Sequence, residues 1–287
     1  MKNYLLELLR RTTSDLPADV ECALQQATDS ESQDTQAAPF LKTILDNVKI
    51  ARTQAAPLCQ DTGTLTFFWT VPRGTDTWQL EQVAKEAVKE ATVKGWLRQN
   101  TIDTLTGTSI ATNVAEGTPV CHFEQADIQA IEVWLLQKGG GSENMSCQFS
   151  LPDETLHAGR DLEGVRKCIL HAVFQTQGFG CSPGILGVSI GADRGEGFLL
   201  AKKQLLRPLA DASPIPEIAT LEKRLLQEAN SLGIGPMGMG GKTTLLGVKI
   251  TSAPRLPASY FVTIAYMCWA CRRRGFRLQG DQLTWLG

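Results

Sequence analysis

Short loops, most of them containing glycine, separate the apolar segments of this chain, and cysteines lie in several of these loops. Five loop segments stand out: CQDTG at 59–63, KGGGSEN at 138–144, GFGCSPG at 178–184, GIGPMGMGGKTT at 233–244, and PAS at 257–259 with CWAC at 268–271. Glycine lets a backbone approach a ligand closely or adopt a positive φ. Because the amides of such loops can bind carboxylates or stabilise the sulfurs of a metal cluster, we expect the functional groups to lie on loops between rigid elements.

The segments between these loops alternate between helical and strand-like patterns. Apolar residues at helical spacing cover much of the first fifty residues and recur at 80–95, 162–176, 198–206 and 218–232. Residues typical of strands occupy 64–71, 128–136, 184–190, 244–251 and 260–267. We predict an α+β (mixed α/β) fold. It would form a single domain over 1–287, with a helical N-terminal segment at 1–54 and a motif-bearing core at 55–275.

Composition excludes several classes of protein. Hydrophobic residues make up 43% of the 287 residues and charged residues 20%, which is typical of a globular protein. The formal net charge of −2 gives no sign of a nucleic-acid or anionic-membrane surface. No apolar run approaches the roughly 18–20 residues of a membrane helix, and the N-terminus lacks the pattern of a signal peptide. We therefore expect a cytoplasmic protein that binds neither nucleic acid nor membranes.

Eight cysteines narrow the chemistry further. Disulfide-rich folds are small and secreted, so the thiols of a chain this long are expected to be buried, metal-bound or catalytic. Three of them, Cys59, Cys181 and Cys268, lie in the loop segments. The pattern around the others predicts small buried side chains at Cys22, Cys121, Cys147 and Cys168, and a structural role for Cys271.

Three separate loop cysteines suit an iron–sulfur cluster better than a zinc ion. A structural zinc site needs four protein ligands, and the three histidines are scattered without ligand spacing. Three thiolates fit a [4Fe–4S] cluster with one iron left open. Such an iron acts as a Lewis acid toward a hydroxyl or carboxylate, which is hydration chemistry rather than electron transfer. A structural zinc protein remains an alternative.

A possible phosphate-binding motif does not complete its pattern. The segment GKT at 241–243 resembles the end of a P-loop, but Pro236 stands where that motif requires glycine. A strand rather than a helix is predicted to follow. We therefore do not expect a nucleotide site.

The five segments together resemble the class I fumarase family. They occur in the family's order over about 55–275, and the chain is most similar to the alpha subunit of the two-subunit members, which include L-tartrate dehydratase. The resemblance implies an oxygen-sensitive hydro-lyase whose [4Fe–4S] cluster is held by Cys59, Cys181 and Cys268. In this family the fourth iron binds the hydroxyl and a carboxylate of the substrate.

The resemblance also implies a set of substrate-binding residues. Gln60 and Asp61 follow the first cysteine, Arg98 closes the segment WLR, and the triple-glycine loop would offer the backbone of Gly140 or Gly141. Asp61 and Arg98 are expected to be catalytic. A cluster with three thiolates carries about −1 and repels a dicarboxylate, so a fixed cation is needed. Arginine suits that role because its guanidinium binds a carboxylate bidentately.

Two departures from the family pattern bear on activity. Leu256 stands twelve positions before the third cysteine, where relatives carry a histidine, which puts one substrate contact or proton-handling group in doubt. By the family pattern we also expect the C-terminal domain to be a separate beta polypeptide, as it is in two-subunit relatives. The resemblance therefore implies that this chain needs a beta subunit, and that the two form an α2β2 assembly.

The leading hypothesis is reversible hydration of fumarate to L-malate. The alternatives are an L-tartrate dehydratase alpha subunit, which converts tartrate to oxaloacetate, and a non-catalytic iron–sulfur or scaffold homologue, which the residue Leu256 would permit.

Overall fold

The order of helices and strands confirms the α+β prediction. A computed structural model describes all residues, Met1–Gly287. The helices are α1 Lys2–Ser14, α2 Ala18–Ser30, α3 Ala37–Gln54, α4 Thr77–Val93, α5 Gly140–Asn144, α6 Leu162–Thr176, α7 Arg194–Gln204 and α8 Pro216–Ser231. The strands are β1 Thr64–Pro72, β2 Val120–Ala126, β3 Ile131–Lys138, β4 Cys147–Ser150, β5 Gly184–Gly191, β6 Leu245–Ala253, β7 Phe261–Met267, β8 Arg272–Gln279 and β9 Gln282–Leu286.

The chain divides into two compact units, each built around its own sheet. The five-stranded unit comprises Met1–Ala18, Asp46–Gly140 and Ala270–Gly287. The four-stranded unit comprises Asp19–Leu45 and Gly141–Trp269. The expectation of one domain over 1–287 stays a prediction. None of the helices is both long enough and apolar enough to cross a lipid bilayer.

The sheet of the five-stranded unit has the strand order β2-β1-β3-β8-β9. β1 is parallel to β2 and antiparallel to β3, and the remaining pairs are antiparallel. Alternate residues of β1, among them Phe67 and Trp69, pack with Leu135 and with apolar positions of α1 and α4. These residues share one face of β1, as the strand period of two requires. The opposite face is buried as well at Thr66 and Phe68. Burial of these side chains against α1 and α4 forms the core of the unit.

β8 carries buried arginines, and the sequence did not predict it as a strand. Arg272 and Arg273 are 1% and 2% exposed. Arg274 donates to Asp15 Oδ2 at 3.0 Å and to the Leu16 carbonyl at 2.7 Å, while its burial lowers the pKa of its guanidinium. A run of three arginines is typical of an exposed segment, because a buried charge needs a partner. Only the fold supplies the acceptors that allow a strand here.

The sheet of the four-stranded unit has the order β4-β7-β5-β6. β5 is parallel to β6 and antiparallel to β7, and every residue of β5 is buried. Leu186, Val188 and Ile190 belong to the core that this face forms with α6 and α8. On the other face, a Cβ at Gly187 would lie 2.1 Å from the carbonyl oxygen of Ala201 in α7. Glycine therefore allows α7 to pack directly on the backbone of β5.

Aspartate N-caps fix the starts of three helices. Asp76, Asp161 and Asp193 accept hydrogen bonds from the amide three residues on, at 3.0, 2.7 and 3.0 Å. Each cap satisfies one of the amides that the first turn of a helix leaves unpaired. The helices α4, α6 and α7 that follow lie where helical patterns were predicted.

The pairing of β5 with β7 determines where two of the functional loops meet. Ile185 pairs with Met267, so the start of β5 lies beside the end of β7. The GFGCSPG loop precedes β5 and the CWAC segment follows β7. Two loops that are distant in sequence therefore meet at one end of this sheet.

Substitution of Gly187 tests the contact between β5 and α7. Gly187→Ala is expected to lower the free energy of unfolding by about 1–3 kcal/mol, because the added methyl overlaps backbone that belongs to a helix. Gly195→Ala is the matched control: Gly195 is exposed in α7, and its added Cβ would have 3.6 Å to its nearest neighbour. Urea unfolding monitored by circular dichroism measures both. Equal stability of the two variants would contradict the packing described.

Candidate functional site

The loop that carries Cys181 is fixed by the loop at 233–244. The Ser182 hydroxyl is fully buried and donates to the Gly235 carbonyl at 2.6 Å, and the Met237 amide donates to the Ser182 carbonyl at 2.9 Å. Cys181 itself has a φ of 54°, in the left-handed region, and its amide donates to the Gly178 carbonyl at 3.1 Å. These contacts give the Cys181 backbone a defined, tightly turned conformation.

Cys268 lies next to this loop. It follows β7 directly, and the amide of the next residue, Trp269, donates to the Cys181 carbonyl at 3.2 Å. Both cysteines are half-buried. The structure therefore brings together two of the three predicted cluster ligands, although 87 residues separate them in sequence.

The ring of Tyr266 packs against two glycines of the loop that carries Cys181. It is 2% exposed, and Cβ atoms built on Gly180 and Gly184 would lie 2.3 Å and 2.4 Å from its Cε1 and hydroxyl oxygen. The glycines of the GFGCSPG loop are thus needed for the loop to close over the ring. Burial above all, and then electrostatic interaction with Cys268 and Cys181, raises the pKa of the phenol. Both cysteines therefore lie within electrostatic reach of Tyr266.

Cys59 begins the CQDTG segment in the five-stranded unit and is half-buried. The preceding residue, Leu58, is held on both sides: its amide donates to the Thr13 carbonyl at 3.0 Å, and its carbonyl accepts from Asn47 Nδ2 at 2.9 Å. The segment that presents Cys59 is therefore anchored to α1 and α3.

The Asp61 carboxylate joins this segment to the start of the triple-glycine loop by hydrogen bonds. Its Oδ1 accepts from the Gly63 amide at 2.9 Å and its Oδ2 from the Gly140 amide at 2.7 Å. Its carbonyl accepts from Arg272 Nη1 at 2.9 Å. Two predicted substrate-binding residues, Asp61 and Gly140, are thus joined directly by a hydrogen bond.

A cavity of about 450 Å³ lies beside this pair in the five-stranded unit. Its lining is mixed: polar groups come from Asp61, Thr62, Asn100, Asn113 and Thr118, and apolar side chains from Leu65, Leu97 and Val120. Asn113 is 5% exposed, and its side chain binds the amides of Asn100 and Thr101 at 3.0 and 3.1 Å. The sequence motifs did not point to Asn100 or Asn113, which are polar residues outside the five segments. Thr62 lies in the CQDTG segment, but no role was predicted for it.

Arg98 and Gln60 lie in the same unit, and both are exposed. The Arg98 amide donates to Thr62 Oγ1 at 3.3 Å, and its carbonyl accepts from Asn113 Nδ2 at 2.7 Å. The Gln60 carbonyl accepts from Asn100 Nδ2 at 3.4 Å. Residues of the cavity lining therefore fix the backbone at Arg98 and Gln60. Gly141, the remaining predicted residue, is exposed and belongs to the four-stranded unit.

The other five cysteines are exposed, are buried, or have a thiol pKa that burial raises. Cys168 and Cys271 are buried. Burial raises the pKa of Cys121 and of Cys168 to about 12 and that of Cys147 to about 11, so these thiols stay protonated at neutral pH. The prediction of a buried Cys22 was wrong, because α2 buries Val20, Leu24 and Ala27 and leaves Cys22 on its exposed face. None of the eight forms a disulfide, and no three His, Cys, Asp or Glu side chains are grouped so that they could hold a single metal ion.

Leu256 occupies the position at which the family pattern has a histidine. Its side chain is 74% exposed, and hydrogen bonds hold the loop around it. Arg255 Nη1 donates to the carbonyls of Leu256, Pro257 and Ser259 at 3.0–3.1 Å. Arg160 adds bonds to the carbonyls of Pro257 and Ala258 at 3.3 and 2.9 Å. The loop is therefore structurally defined, but an aliphatic side chain there cannot transfer a proton.

The segment GKT lacks the features of a phosphate site. The Lys242 ammonium donates to the Ser30 carbonyl at 2.6 Å, and its amide donates to Glu31 Oε2 at 2.8 Å. A carboxylate already occupies the amide that a phosphate would need, and β6 rather than a helix follows. These contacts agree with the prediction that no nucleotide binds here.

Comparison with known proteins gives the family. The family model described as "Fumarate hydratase (Fumerase)" matches residues 2–277. A Geobacillus stearothermophilus protein named "Putative fumarate hydratase class I" is 47% identical over 98% of this chain, and the chain spans 56% of that relative's length.

Proteins named as alpha subunits of L(+)-tartrate dehydratase are also similar. The one from Methanocaldococcus jannaschii, whose name carries the prefix "Putative", is 36% identical over 98% of each chain. The one from Escherichia coli K12 is 32% identical over 97% of this chain and 92% of its own length.

The family match covers nearly the whole chain, and the relatives agree with it. The names of these relatives are those of hydro-lyases, enzymes that add or remove water. The chain belongs to the fumarate hydratase (Fumerase) family of hydro-lyases.

Proposed function

We propose that this chain is the cluster-binding alpha subunit of a [4Fe–4S]-dependent hydro-lyase that reversibly hydrates fumarate to L-malate. The observation that carries the proposal is the meeting of the Cys181 and Cys268 segments: both cysteines are half-buried, and the amide of Trp269, next to Cys268, donates to the Cys181 carbonyl at the ends of paired strands. Membership of the fumarate hydratase family supports it.

The available donors suit a cluster held by Cys59, Cys181 and Cys268. Each is half-buried and lies next to a turn or strand end whose backbone is hydrogen-bonded in place. Cys121, Cys147 and Cys168 suit it less, since burial raises their pKa to about 11–12 and a ligand must be a thiolate. When bound, such a cluster supplies a Lewis-acidic iron that polarises the hydroxyl of a hydroxy acid.

Arg98 would bind a carboxylate of the substrate. Its guanidinium is exposed and makes no ion pair within the chain, while Thr62 and Asn113 hold its backbone. A free guanidinium on a fixed backbone can bind a carboxylate bidentately and offset the repulsion between a dicarboxylate and a cluster that carries about −1.

Asp61 and the neighbouring amides would complete the substrate site. Its carboxylate lines the 450 Å³ cavity and accepts two amide hydrogen bonds, which hold it in one orientation. We assign it to the catalytic residues as a group able to exchange a proton with the substrate. Gln60 and the backbone of Gly140 or Gly141 would add further substrate contacts, since all three are exposed.

One observation favours the alternative substrate, tartrate, which would be dehydrated to oxaloacetate. The chain covers 98% and 92% of two relatives named as L(+)-tartrate dehydratase alpha subunits, but 56% of the one named as a fumarate hydratase. We rank fumarate first because that relative has the higher identity, 47% against 36% and 32%. A non-catalytic homologue is the third possibility, and Leu256 in place of histidine favours it.

The proposal includes a separate beta subunit in an α2β2 assembly. Relatives of nearly the same length are named as alpha subunits, and the Geobacillus relative is longer than this chain. Eight thiols without a disulfide suit a reducing compartment such as the cytoplasm.

The first prediction concerns the cluster ligands. Cys59→Ser, Cys181→Ser and Cys268→Ser should each reduce iron and sulfide to less than half of the wild-type content per chain, because a cluster with two thiolates is labile. Cys22→Ser is the control, since Cys22 is exposed in α2 and should leave the content unchanged. Iron and sulfide are counted after anaerobic purification. Full cluster content in any one of the three loop variants would remove that cysteine from the ligand set.

The second prediction concerns Arg98. Arg98→Lys should raise KM about tenfold with an intact cluster, equivalent to about 1.4 kcal/mol, because an ammonium cannot form the bidentate pair. Arg73→Lys provides a matched control, since Arg73 is exposed in the turn after β1. Steady-state kinetics of the assembled enzyme measure both. An unchanged KM in Arg98→Lys would show that Arg98 does not bind the substrate.

The third prediction concerns substrate and partner. The chain alone should be nearly inactive, and anaerobic assembly with its cognate beta chain should give turnover of fumarate and L-malate. Assays with fumarate, L-malate and L-tartrate compare the substrates. Turnover of tartrate alone would favour the alternative, whereas no turnover of any dicarboxylate by the cluster-loaded complex would favour a non-catalytic role.

A further inference from the structure

Strand β7 continues beyond the end of its edge partner. β4 pairs with it only from Cys147 opposite Ile264 to Ser150 opposite Phe261. β7 runs on to Met267, and Cys268 follows it directly. The amides of Tyr266 and Cys268 therefore extend past the carbonyls that β4 could offer. An amide without an acceptor in a half-buried position is unfavourable, so this edge needs another partner.

Two serine hydroxyls take the place of the missing strand. Ser146 Oγ accepts from the Tyr266 amide at 3.2 Å, and Ser142 Oγ accepts from the Cys268 amide at 3.2 Å. Both serines belong to the segment that precedes β4. Ser142 lies in α5, and Ser146 lies two residues beyond the end of that helix. The two hydroxyls accept from amides that are two residues apart at the end of β7.

The Ser142 hydroxyl holds the backbone of Cys268, the third loop cysteine, by accepting its amide hydrogen bond. Ser142 is 3% exposed, so water does not compete for its hydroxyl. On the other side, the Trp269 amide donates to the Cys181 carbonyl at 3.2 Å. The Cys268 amide thus binds Ser142, and the next amide, that of Trp269, binds the loop that carries Cys181.

Ser146 holds the backbone of Tyr266 in the same way, by accepting its amide hydrogen bond. The ring of Tyr266 packs against Gly180 and Gly184 in the loop that carries Cys181. Ser146 Oγ also donates to the Ser142 carbonyl at 3.3 Å, which connects the two serines. The KGGGSEN segment and the two residues after it thereby contribute side chains as well as glycine backbone.

We propose that Ser142 and Ser146 are positioning residues for Cys268. Their hydroxyls complete the edge of β7 and set the position from which Cys268 would bind the cluster. This role rests on the proposed function, in which Cys268 is a cluster ligand. Neither serine is proposed to touch substrate or cluster.

Amide hydrogen exchange in the metal-free full chain tests the hydrogen bonds themselves. Ser142→Ala should accelerate exchange of the Cys268 amide about fivefold, the factor expected for loss of one net hydrogen bond. Ser146→Ala should do the same at Tyr266, which keeps the test decisive if the first variant folds poorly. Ser189→Ala is the matched control: Ser189 is buried in β5 of the same sheet, and its hydroxyl has no hydrogen-bond partner. Ser189→Ala should leave exchange at both amides unchanged.

Release of iron to a chelator after anaerobic reconstitution tests the consequence for the cluster. Ser142→Ala should release iron about fivefold faster than the wild type, and Ser189→Ala at the wild-type rate. Unchanged exchange at Cys268 in Ser142→Ala, or unchanged iron release, would overturn the positioning role while leaving the proposed function intact. Failure of the wild-type chain to take up iron would instead overturn the proposed function, and this outcome is seen before any variant is compared.

Discussion

The antiparallel pairing of β5 with β7 is the constraint on which the candidate site depends. It places Ile185 beside Met267, and so brings the loop before one strand next to the segment after the other. Cys181 and Cys268 are neighbours for this reason alone, since neither shares a local motif with the other. Strand pairing over many residues is stiff, and two loops that emerge from it inherit a fixed separation. A site built this way needs few further contacts to become ordered.

Short polar side chains supply those further contacts by binding backbone. Asp61 accepts two amides, Ser182 binds the loop at 233–244, and Ser142 accepts the Cys268 amide. In each case a carboxylate or hydroxyl does what a neighbouring strand does elsewhere in a sheet. Loops whose amides are paired in this way lose little entropy on binding a ligand, because most of their ordering has already taken place. The same pairing explains why the loop sequences combine glycine with serine and aspartate.

Family membership and geometry support the function in different ways. The family match indicates a hydro-lyase, and the relatives divide between names that refer to fumarate and to tartrate. Geometry adds the fixed backbone at Arg98, the cavity beside Asp61 and the paired cysteine loops. Leu256 is the residue at which this chain departs from the expected pattern, and its exposed position makes it the natural place to look for a difference in substrate or activity.

The sequence by itself determined the class of fold, the helices with strong apolar spacing, and the loops that carry chemistry, because periodicity and glycine placement are local signals. It did not determine β8, whose buried Arg272 and Arg273 resemble an exposed basic run, nor the short strand β4 and the edge strand β9. It also placed Cys22 in the interior, since one helical stripe does not reveal which neighbours cover it. Tertiary structure alone decided that Cys181 and Cys268 meet, that Asp61 binds Gly140, and that two serines serve the end of β7. Each of these depends on pairing between segments far apart in the chain, and no local pattern of residues encodes the distance between them.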